Sequence, residues 1–280
     1  MKLIIHGGFF NESLTNREIK QAKQEALAEI VCMGYKHLQT CTAAEAAVYT
    51  VSLLEDCDLF NAGTGSQLQS DGHIRMSAAL MDGKTRRFAG VINIEDVKNP
   101  IQVADKLMAF DDRVLSGDCA GAFARDNGFS YYNPEILQRR QEYEKKLSNS
   151  IRMGTVGCVA LDVYGNLAAA TSTGGKGFEM PGRVSDSATT AGNYANKCAG
   201  ISCTGIGEDI VSGAIASTIA ARVTDGLPLA AACQKTLNEL KDIKGCAGVI
   251  GISEKGEMYH GDTHPYMVWA CHDGDIDVFD

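Results

Sequence analysis

No stretch of this chain approaches ~20 unbroken apolar residues, which predicts no membrane-spanning helix. Basic charge is also short. The net charge is −9, and residues 155–280 carry 8 Lys/Arg against 15 Asp/Glu, so neither nucleic acid nor a membrane is expected as a partner. The ten cysteines form no Cys-x-x-Cys pair, and most sit among apolar neighbours. They are read as reduced core residues of a cytoplasmic protein, with a disulfide framework as the alternative. The apolar run in Met1–Gly8 is too short for a signal peptide. There is no Gly-x-Ser-x-Gly elbow and no Walker loop. What remains is a 280-residue chain, 45% hydrophobic, long enough for one large folded domain with a sizeable core.

Local signals divide the chain. Residues 2–6 read as a buried strand stopped by Gly7-Gly8. Capping boxes at Thr15-x-x-Glu18 and Thr42-x-x-Glu45 open helices that run to about Met33, with Gly34 as the stop, and to about Glu55. The glycines in Asp58–Gly65 predict a loop where backbone approaches something closely. Residues 66–95 read as strands turning at Asp71-Gly72 and Asp82-Gly83. Helices follow from Asn99-Pro100 to about Phe110 and over 118–126. Residues 131–152 are polar and poor in aliphatics, a solvated helix or mobile linker between two halves.

The second half opens on a β-hairpin, 155–162 and 166–173, about the Tyr164-Gly165 turn. Thr155 and Thr173 are each nine residues from Tyr164, which places them opposite one another on one face of the sheet. An Ala/Ile/Val-rich helix is expected over 208–224, a second after Pro228, and strands near 246–253 and 266–271. Strand runs with helix pairs in each half suggest an α+β fold, with helices layered on stacked antiparallel sheets.

Chemistry-bearing residues gather in this half. A hydroxyl stands at the Gly154-Thr155 joint between polar linker and buried strand; a lone threonine there would be a plain strand start, but Thr173 lies opposite. Arg183 and Asp186, three apart, could hold the carboxylate and ammonium of an amino-acid-like substrate or form a surface salt bridge. Thr204-Gly205-Ile206-Gly207 precedes a helix and offers backbone N–H groups to an anion or oxyanion. As a dinucleotide loop it is weak, since Ile210 stands where the third glycine would be. His260 and His264 are separated by Gly261 and followed by Pro265, a poor metal pair. His6 reads as a satisfied strand-end histidine.

In order along the chain stand Phe60-Asn-Ala-Gly-x-Gly65, Met81-Asp-Gly83, Gly154-Thr-Val-Gly157, Asn166–Gly175, Pro181-Gly-Arg-Val-x-Asp-Ser187 and Cys203-Thr-Gly-x-Gly-Glu208. Together they resemble the plant-type L-asparaginase/isoaspartyl peptidase family over nearly the whole chain. The resemblance implies an αββα sandwich of the N-terminal-nucleophile type. It implies self-cleavage between Gly154 and Thr155 into an α subunit (1–154) and a β subunit (155–280), and a dimer of such αβ units. Thr155 is implied as the nucleophile, Thr173 as its hydrogen-bond partner, Thr204 and Gly205 as the oxyanion hole, with Asn61 nearby. Arg183 would bind the substrate α-carboxylate, and Asp186 with the Gly207 carbonyl its ammonium. Main-chain carbonyls of Leu54, Glu55, Cys57, Phe60, Ala62 and Thr64 would form a structural sodium loop; no cofactor is implied for catalysis. The implied substrates are β-aspartyl dipeptides and asparagine. Rival activities are those of a glycosylasparaginase, a threonine endopeptidase, or an unprocessed, silent binding protein. The chain departs from the family pattern at Phe9-Phe10, where Ala-Gly is usual, in a shorter linker, and over 186–196.

Overall fold

Thr42 and Glu45 close a capping box, each side chain accepting the other's backbone N–H, and helix α2 (Ala43–Asp56) starts there as its sequence predicts. The computed structural model describes residues 1–9, 16–145, 154–264 and 267–280. Helix α1 (Arg17–Leu38) departs from expectation at both ends. The proposed cap Thr15 lies outside the described residues, and Asn16 caps instead, accepting from the N–H groups of Glu18 and Ile19. Gly34 is not a stop: the helix passes through it, because that position lies tight against Thr50 of α2 and Leu3, where a side chain would collide. Helices α3 (Pro100–Leu107) and α4 (Gly117–Asp126) fall where expected. Helix α5 (Leu137–Glu144) occupies part of the polar 131–152 segment; Arg139 on it is buried and donates to the Gly65 carbonyl. Residues 146–152 of that segment lie outside the described residues, as does Phe10.

Two sheets are present among the described residues. The larger has the order β12 (Ile276–Val278), β11 (Met267–His272), β1 (Lys2–Phe9), β5 (Thr155–Leu161), β6 (Leu167–Thr173), β2 (Met76–Asp82), β3 (Arg87–Ile94), β4 (Val114–Ser116). All its pairings are antiparallel except β3 with β4. The smaller runs β10 (Met258–Asp262), β9 (Ala247–Ser253), β8 (Ala199–Gly205), β7 (Asn193–Ala195). Strand β1 continues through Gly7-Gly8 by a bulge between His6 and Phe9, so the glycine pair bends the strand instead of ending it. Residues 66–75 hold turns and no strand, and the small strands β10 and β12 carry too few buried apolar residues to signal themselves. The helix expected over 208–224 is two, α6 (Gly207–Gly213) and α7 (Ile215–Thr224), broken where Ala214 turns left-handed at φ 44°. Helix α8 (Leu229–Asp242) follows Pro228.

Period-two alternation sorts the strands' side chains into three apolar clusters. Leu3, Ile5, Val156, Cys158, Ala168 and Ala170 pack with α1 to α4 on one side of the larger sheet. Ile201, Cys203, Ala247 and Val249 pack with α7 and α8 outside the smaller sheet. Between the sheets lie Ile4, Val159, Leu161, Leu167, Ala169, Ile250 and Ile252. Strand β8 crosses β5 and β6, and β9 crosses β1. All ten cysteines are free; five are buried as expected, whereas Cys32 and Cys119 are exposed on helices.

Candidate active site

The alternation that buries Val159 and Leu161 between the sheets also aims Thr155 there, four and six residues earlier on the same face. By the same count His6 shares a face with Ile4, Thr171 and Thr173 share one with Leu167 and Ala169, and Ser202 and Thr204 lie opposite the face of Ile201 and Cys203. The seam between the sheets is thus apolar at one end and hydroxyl-rich at the other. The hairpin register is unbroken from Leu161↔Leu167 to Thr155↔Thr173, as the spacing about Tyr164 predicts.

Thr155 is buried, and its Oγ1 donates to Thr173 Oγ1 at 3.2 Å. Thr173 Oγ1 in turn accepts from the Gly175 N–H at 3.1 Å, which fixes that oxygen's position. The Gly154–Thr155 junction is packed on both sides. A Cβ on Gly8, whose φ is +88°, would stand 2.6 Å from Gly154 Cα, and one on Gly154 would stand 2.8 Å from Asn61 Cβ. Asn61 is held rigidly: its Nδ2 donates to the Gly175 carbonyl, and its Oδ1 accepts from Gln67 N–H at 2.8 Å. The structure therefore brings Asn61, Gly154, Thr155 and Thr173 together.

Thr204 is fully buried, and its hydroxyl has no protein partner, a donor left unused inside the fold. Gly205 ends β8 with φ +139°, its Cα against the Cys246 carbonyl. Next along the chain, Gly207 brings its backbone against both Arg183 Nη2 and Asp186 Oδ1, so these three predicted residues also converge. Asp186 opens a short 3-10 turn, Asp186–Ala188, and is buried. Its Oδ1 accepts from Ser185 Oγ at 3.1 Å and its Oδ2 is unpartnered. Burial pushes its pKa up to about 6 against the pull of Ser185 and Arg183.

Arg183 is not free. Its Nε and Nη2 donate to the two oxygens of Glu208 at 3.0 and 2.9 Å, a two-pronged pairing, and Lys176 Nζ stands 3.5 Å from Glu208 Oε1. Partial burial pushes the Glu208 pKa up, but the Arg183 hydrogen bonds outweigh it and hold the carboxylate at about 2. In the sequence Glu208 stands only as the end of a motif. Gln67, Ser202, Thr171 and Asn193 carry no local signal of their own; strand alternation puts Ser202 and Thr171 on the site's side only once the pairing of β8 is given. His6 is satisfied at both ring nitrogens, by Thr155 O and Ser202 Oγ, each at 3.0 Å.

The Asn61 loop is a tight wrap of backbone. The Leu54, Glu55 and Cys57 carbonyls accept N–H bonds from Cys57, Thr64 and Phe60, and the Asp58 and Phe60 carbonyls crowd Gly65. Glu55 itself is fully buried, and burial raises its carboxyl pKa to about 8. Its Oε1 accepts from the Ile101 N–H at 3.0 Å, and its Oε2 has no partner. Main-chain oxygens with a lone pair to spare suit a hard cation. Among the described residues no cluster of three or more His, Cys, Asp or Glu side chains is placed to hold a metal. His260 instead stacks on Trp269 with ring centroids 3.6 Å apart.

A buried strand-start threonine whose hydroxyl meets a second threonine at the seam of two sheets, with the unmatched Thr204 hydroxyl in the same seam, is an arrangement that can serve a hydroxyl nucleophile. The comparisons narrow that reading. A model of the family described as asparaginase matches residues 1–278. An isoaspartyl peptidase/L-asparaginase of Synechocystis sp. is 44% identical over 98% of this chain and 88% of its own length. A plant-type L-asparaginase of Pyrococcus abyssi is 37% identical over 96% of this chain and 95% of its own. An isoaspartyl peptidase of Escherichia coli is 37% identical over 91% and 88%. The chain belongs to the asparaginase family. No helix among the described residues is long and apolar enough to cross a membrane.

Proposed function

We propose that this protein is a self-cleaving amidohydrolase that hydrolyses β-aspartyl dipeptides and asparagine through Thr155. The observation that carries the reading is the buried Thr155 hydroxyl, at the start of β5, donating to Thr173 beside a junction clamped by Gly8 and Asn61. Self-cleavage runs by attack of Thr155 Oγ1 on the Gly154 carbonyl carbon. The peptide becomes an ester, and water then splits the ester to leave chains 1–154 and 155–280. This frees the Thr155 α-amine. An α-amine with a pKa of about 7.7–8.0 is partly neutral near physiological pH and can take the hydroxyl proton, as a lysine at about 10.4 could not.

In turnover, Oγ1 attacks the substrate's side-chain amide carbonyl. Thr204 and Gly205 steady the oxyanion, which gives the buried Thr204 hydroxyl the partner it lacks. The protonated amine gives its proton to the departing ammonia or peptide amine, leaving an acyl ester. Water cleaves the ester and returns aspartate and the free hydroxyl. Arg183 takes the substrate α-carboxylate, which must first displace Glu208. Asp186 and the Gly207 carbonyl take the ammonium, filling the unpartnered Asp186 Oδ2.

A sodium ion on the carbonyls of Leu54, Glu55, Cys57, Phe60, Ala62 and Thr64 would pin the loop that carries Asn61; it would supply rigidity and no chemistry. The layering of helices and sheets is read as an αββα sandwich, the assembly as a dimer of αβ units, and the ten unpaired cysteines as those of a cytoplasmic protein. The test is an intact mass and an N-terminal sequence on the purified protein, then assays on asparagine and β-aspartyl-leucine. Two chains, one beginning at Thr155, with release of ammonia or leucine are expected. A single uncut chain that turns over neither substrate would overturn the proposal.

A further inference from the structure

Four buried polar side chains lie behind Thr155 in a row that no step of the reaction uses. His6 Nδ1 is 3.0 Å from the Thr155 carbonyl oxygen, and His6 Nε2 is 3.0 Å from Ser202 Oγ. Ser202 Oγ is 2.7 Å from Thr171 Oγ1, and Thr171 Oγ1 is 3.0 Å from Asn193 Oδ1. His6, Thr171, Ser202 and Asn193 have no exposed surface. The row crosses the seam from β1 to β8, then back to β6 and out to β7. Room is made for it by Gly157, where any Cβ would overlap both Ser202 Oγ and His6 Nε2.

Counting protons gives the row a direction. A carbonyl can only accept, so His6 Nδ1 carries a proton and donates to Thr155 O. The ring is buried and neutral, with burial outweighing the Thr155 bond and drawing its pKa down to about 3, so Nε2 is bare and accepts. Ser202 has one proton, and it goes to Nε2. The 2.7 Å contact between hydroxyls must then use the Thr171 proton. Thr171 has none left for Asn193 and must accept from it. As placed, the amide presents Oδ1 to Thr171 and leaves Nδ2 without a partner. The proton count requires the amide turned about, with Nδ2 toward Thr171, an orientation that the two near-identical amide atoms leave to the hydrogen-bond network to decide.

We propose that Asn193, Thr171, Ser202 and His6 form a one-way chain of hydrogen bonds whose last donor grips the Thr155 carbonyl and sets the orientation of the nucleophile's own residue. His6 is a positioning residue here and not a base, because its bare nitrogen faces away from Thr155. The carbonyl and the α-amine of Thr155 share one Cα. Fixing the plane of the first therefore limits how the second and the hydroxyl can swing once the chain is cut. The proposal rests on Thr155 as nucleophile for its catalytic consequence, though the direction of the chain stands without it.

The test pairs two variants of similar polarity. In His6→Asn the side-chain N–H falls near the place of Nδ1; in His6→Gln it falls near the place of Nε2 and leaves Thr155 O bare. An unsatisfied buried carbonyl corresponds to a loss of about tenfold to a hundredfold. On asparagine, kcat for His6→Gln should fall that far below kcat for His6→Asn, with KM little changed in both. Equal losses in the two variants, or losses in KM alone, would make His6 a packing residue. Histidine-selective 15N NMR of the wild-type protein reads the tautomer directly and does not depend on either variant folding. One ring should carry its proton on Nδ1 and stay neutral from about pH 5 to 9, and its signal should vanish in His6→Asn. A proton on Nε2, or titration in that range, would refute the chain. If Thr155→Ala kept full activity while the tautomer was as stated, the nucleophile assignment would fail and the chain would survive.

Discussion

The two ends of the seam between the sheets are built on the same strands and the same faces, yet they work differently. At one end Ile4, Val159, Leu161, Leu167, Ile250 and Ile252 exclude water and need only volume and shape. At the other, His6, Thr155, Thr171, Thr173 and Ser202 are almost as deeply buried, and each stays there because a neighbour completes its hydrogen bond. Thr204 Oγ1 and, further along, Asp186 Oδ2 are exceptions, buried and unmatched. The contrast teaches that the apolar end supports the polar end: sheets locked by aliphatic packing can hold hydroxyls in fixed positions against their partners, and can keep a buried group such as the Thr204 hydroxyl unmatched.

Removing the hydroxyl at the head of the polar end gives the largest effect on chemistry. Thr155→Ala should remain a single chain by intact mass and show no turnover. A variant still cut between 154 and 155, or still active, would break the comparison at its centre. At the apolar end the expectation reverses. Leu167→Ala should lose about 2–5 kcal/mol of stability in urea unfolding. Its kcat on asparagine should stay close to that of the natural protein at temperatures where both are folded. If Leu167→Ala left stability intact but abolished turnover, the two ends would not be separable in the way described.

The sequence made much of this legible, and for physical reasons. The hairpin register followed from a turn signal and symmetric spacing, because side-chain alternation in a strand is rigid and Thr155 and Thr173 cannot leave one face without a bulge. The capping box at Thr42 was local chemistry and formed as written. Gly34 misled, because a glycine inside a helix that is needed for close contact with Thr50 looks the same in sequence as a stop. The break at Ala214 gave no signal, since neither glycine nor asparagine stands at that left-handed position. The pairing of Arg183 with Glu208 spans 25 residues, and the His6–Ser202 bond spans 196; nothing local encodes either. The residues proposed for the site were legible through motifs, while the groups that hold them became visible only when strands distant in sequence were brought side by side.

Asp186 tests whether a buried polar group at this end serves the fold or the substrate. Its pKa of about 6 stands above the ordinary 3.8, so the protonated acid is the form the fold prefers. Its stabilising contribution is complete below about pH 4 and is lost as pH rises through about 6. Asp186→Asn should therefore be more stable than the natural protein at pH 7, on the order of 2–3 kcal/mol. Substrate binding runs the other way, since only the ionised carboxylate attracts an ammonium. Natural kcat/KM should fall as pH drops through about 6, and KM for asparagine should rise in Asp186→Asn. Denaturation midpoints and a pH profile check both halves. A variant less stable at pH 7 with unchanged KM would make Asp186 part of the scaffold.

Arg183 gives the smallest expected effect and the finest division between substrate and scaffold. Its guanidinium already makes a two-pronged pairing with Glu208, the geometry a substrate carboxylate would take over. Lysine keeps the charge but not the fork, so Arg183→Lys is not conservative here. In the proposed function the residue binds substrate, and the Gly154–Thr155 junction is clamped by Gly8 and Asn61 instead. Self-cleavage should therefore proceed normally in the variant, giving two chains. On substrates with a free α-carboxylate, kcat/KM should drop by about 1.5–3 kcal/mol, the scale of a charged hydrogen bond. Substrates whose α-carboxylate is amidated should bind the natural enzyme poorly and be nearly indifferent to the change. The measurement compares two enzymes on two substrates that differ in that one group. If Arg183→Lys harmed both substrates equally, the Arg183–Glu208 pair would be holding the Pro181–Asp186 loop in shape. Arg183 would then belong with Leu167 as part of what positions the site, and not with Thr155 as part of what acts on the substrate.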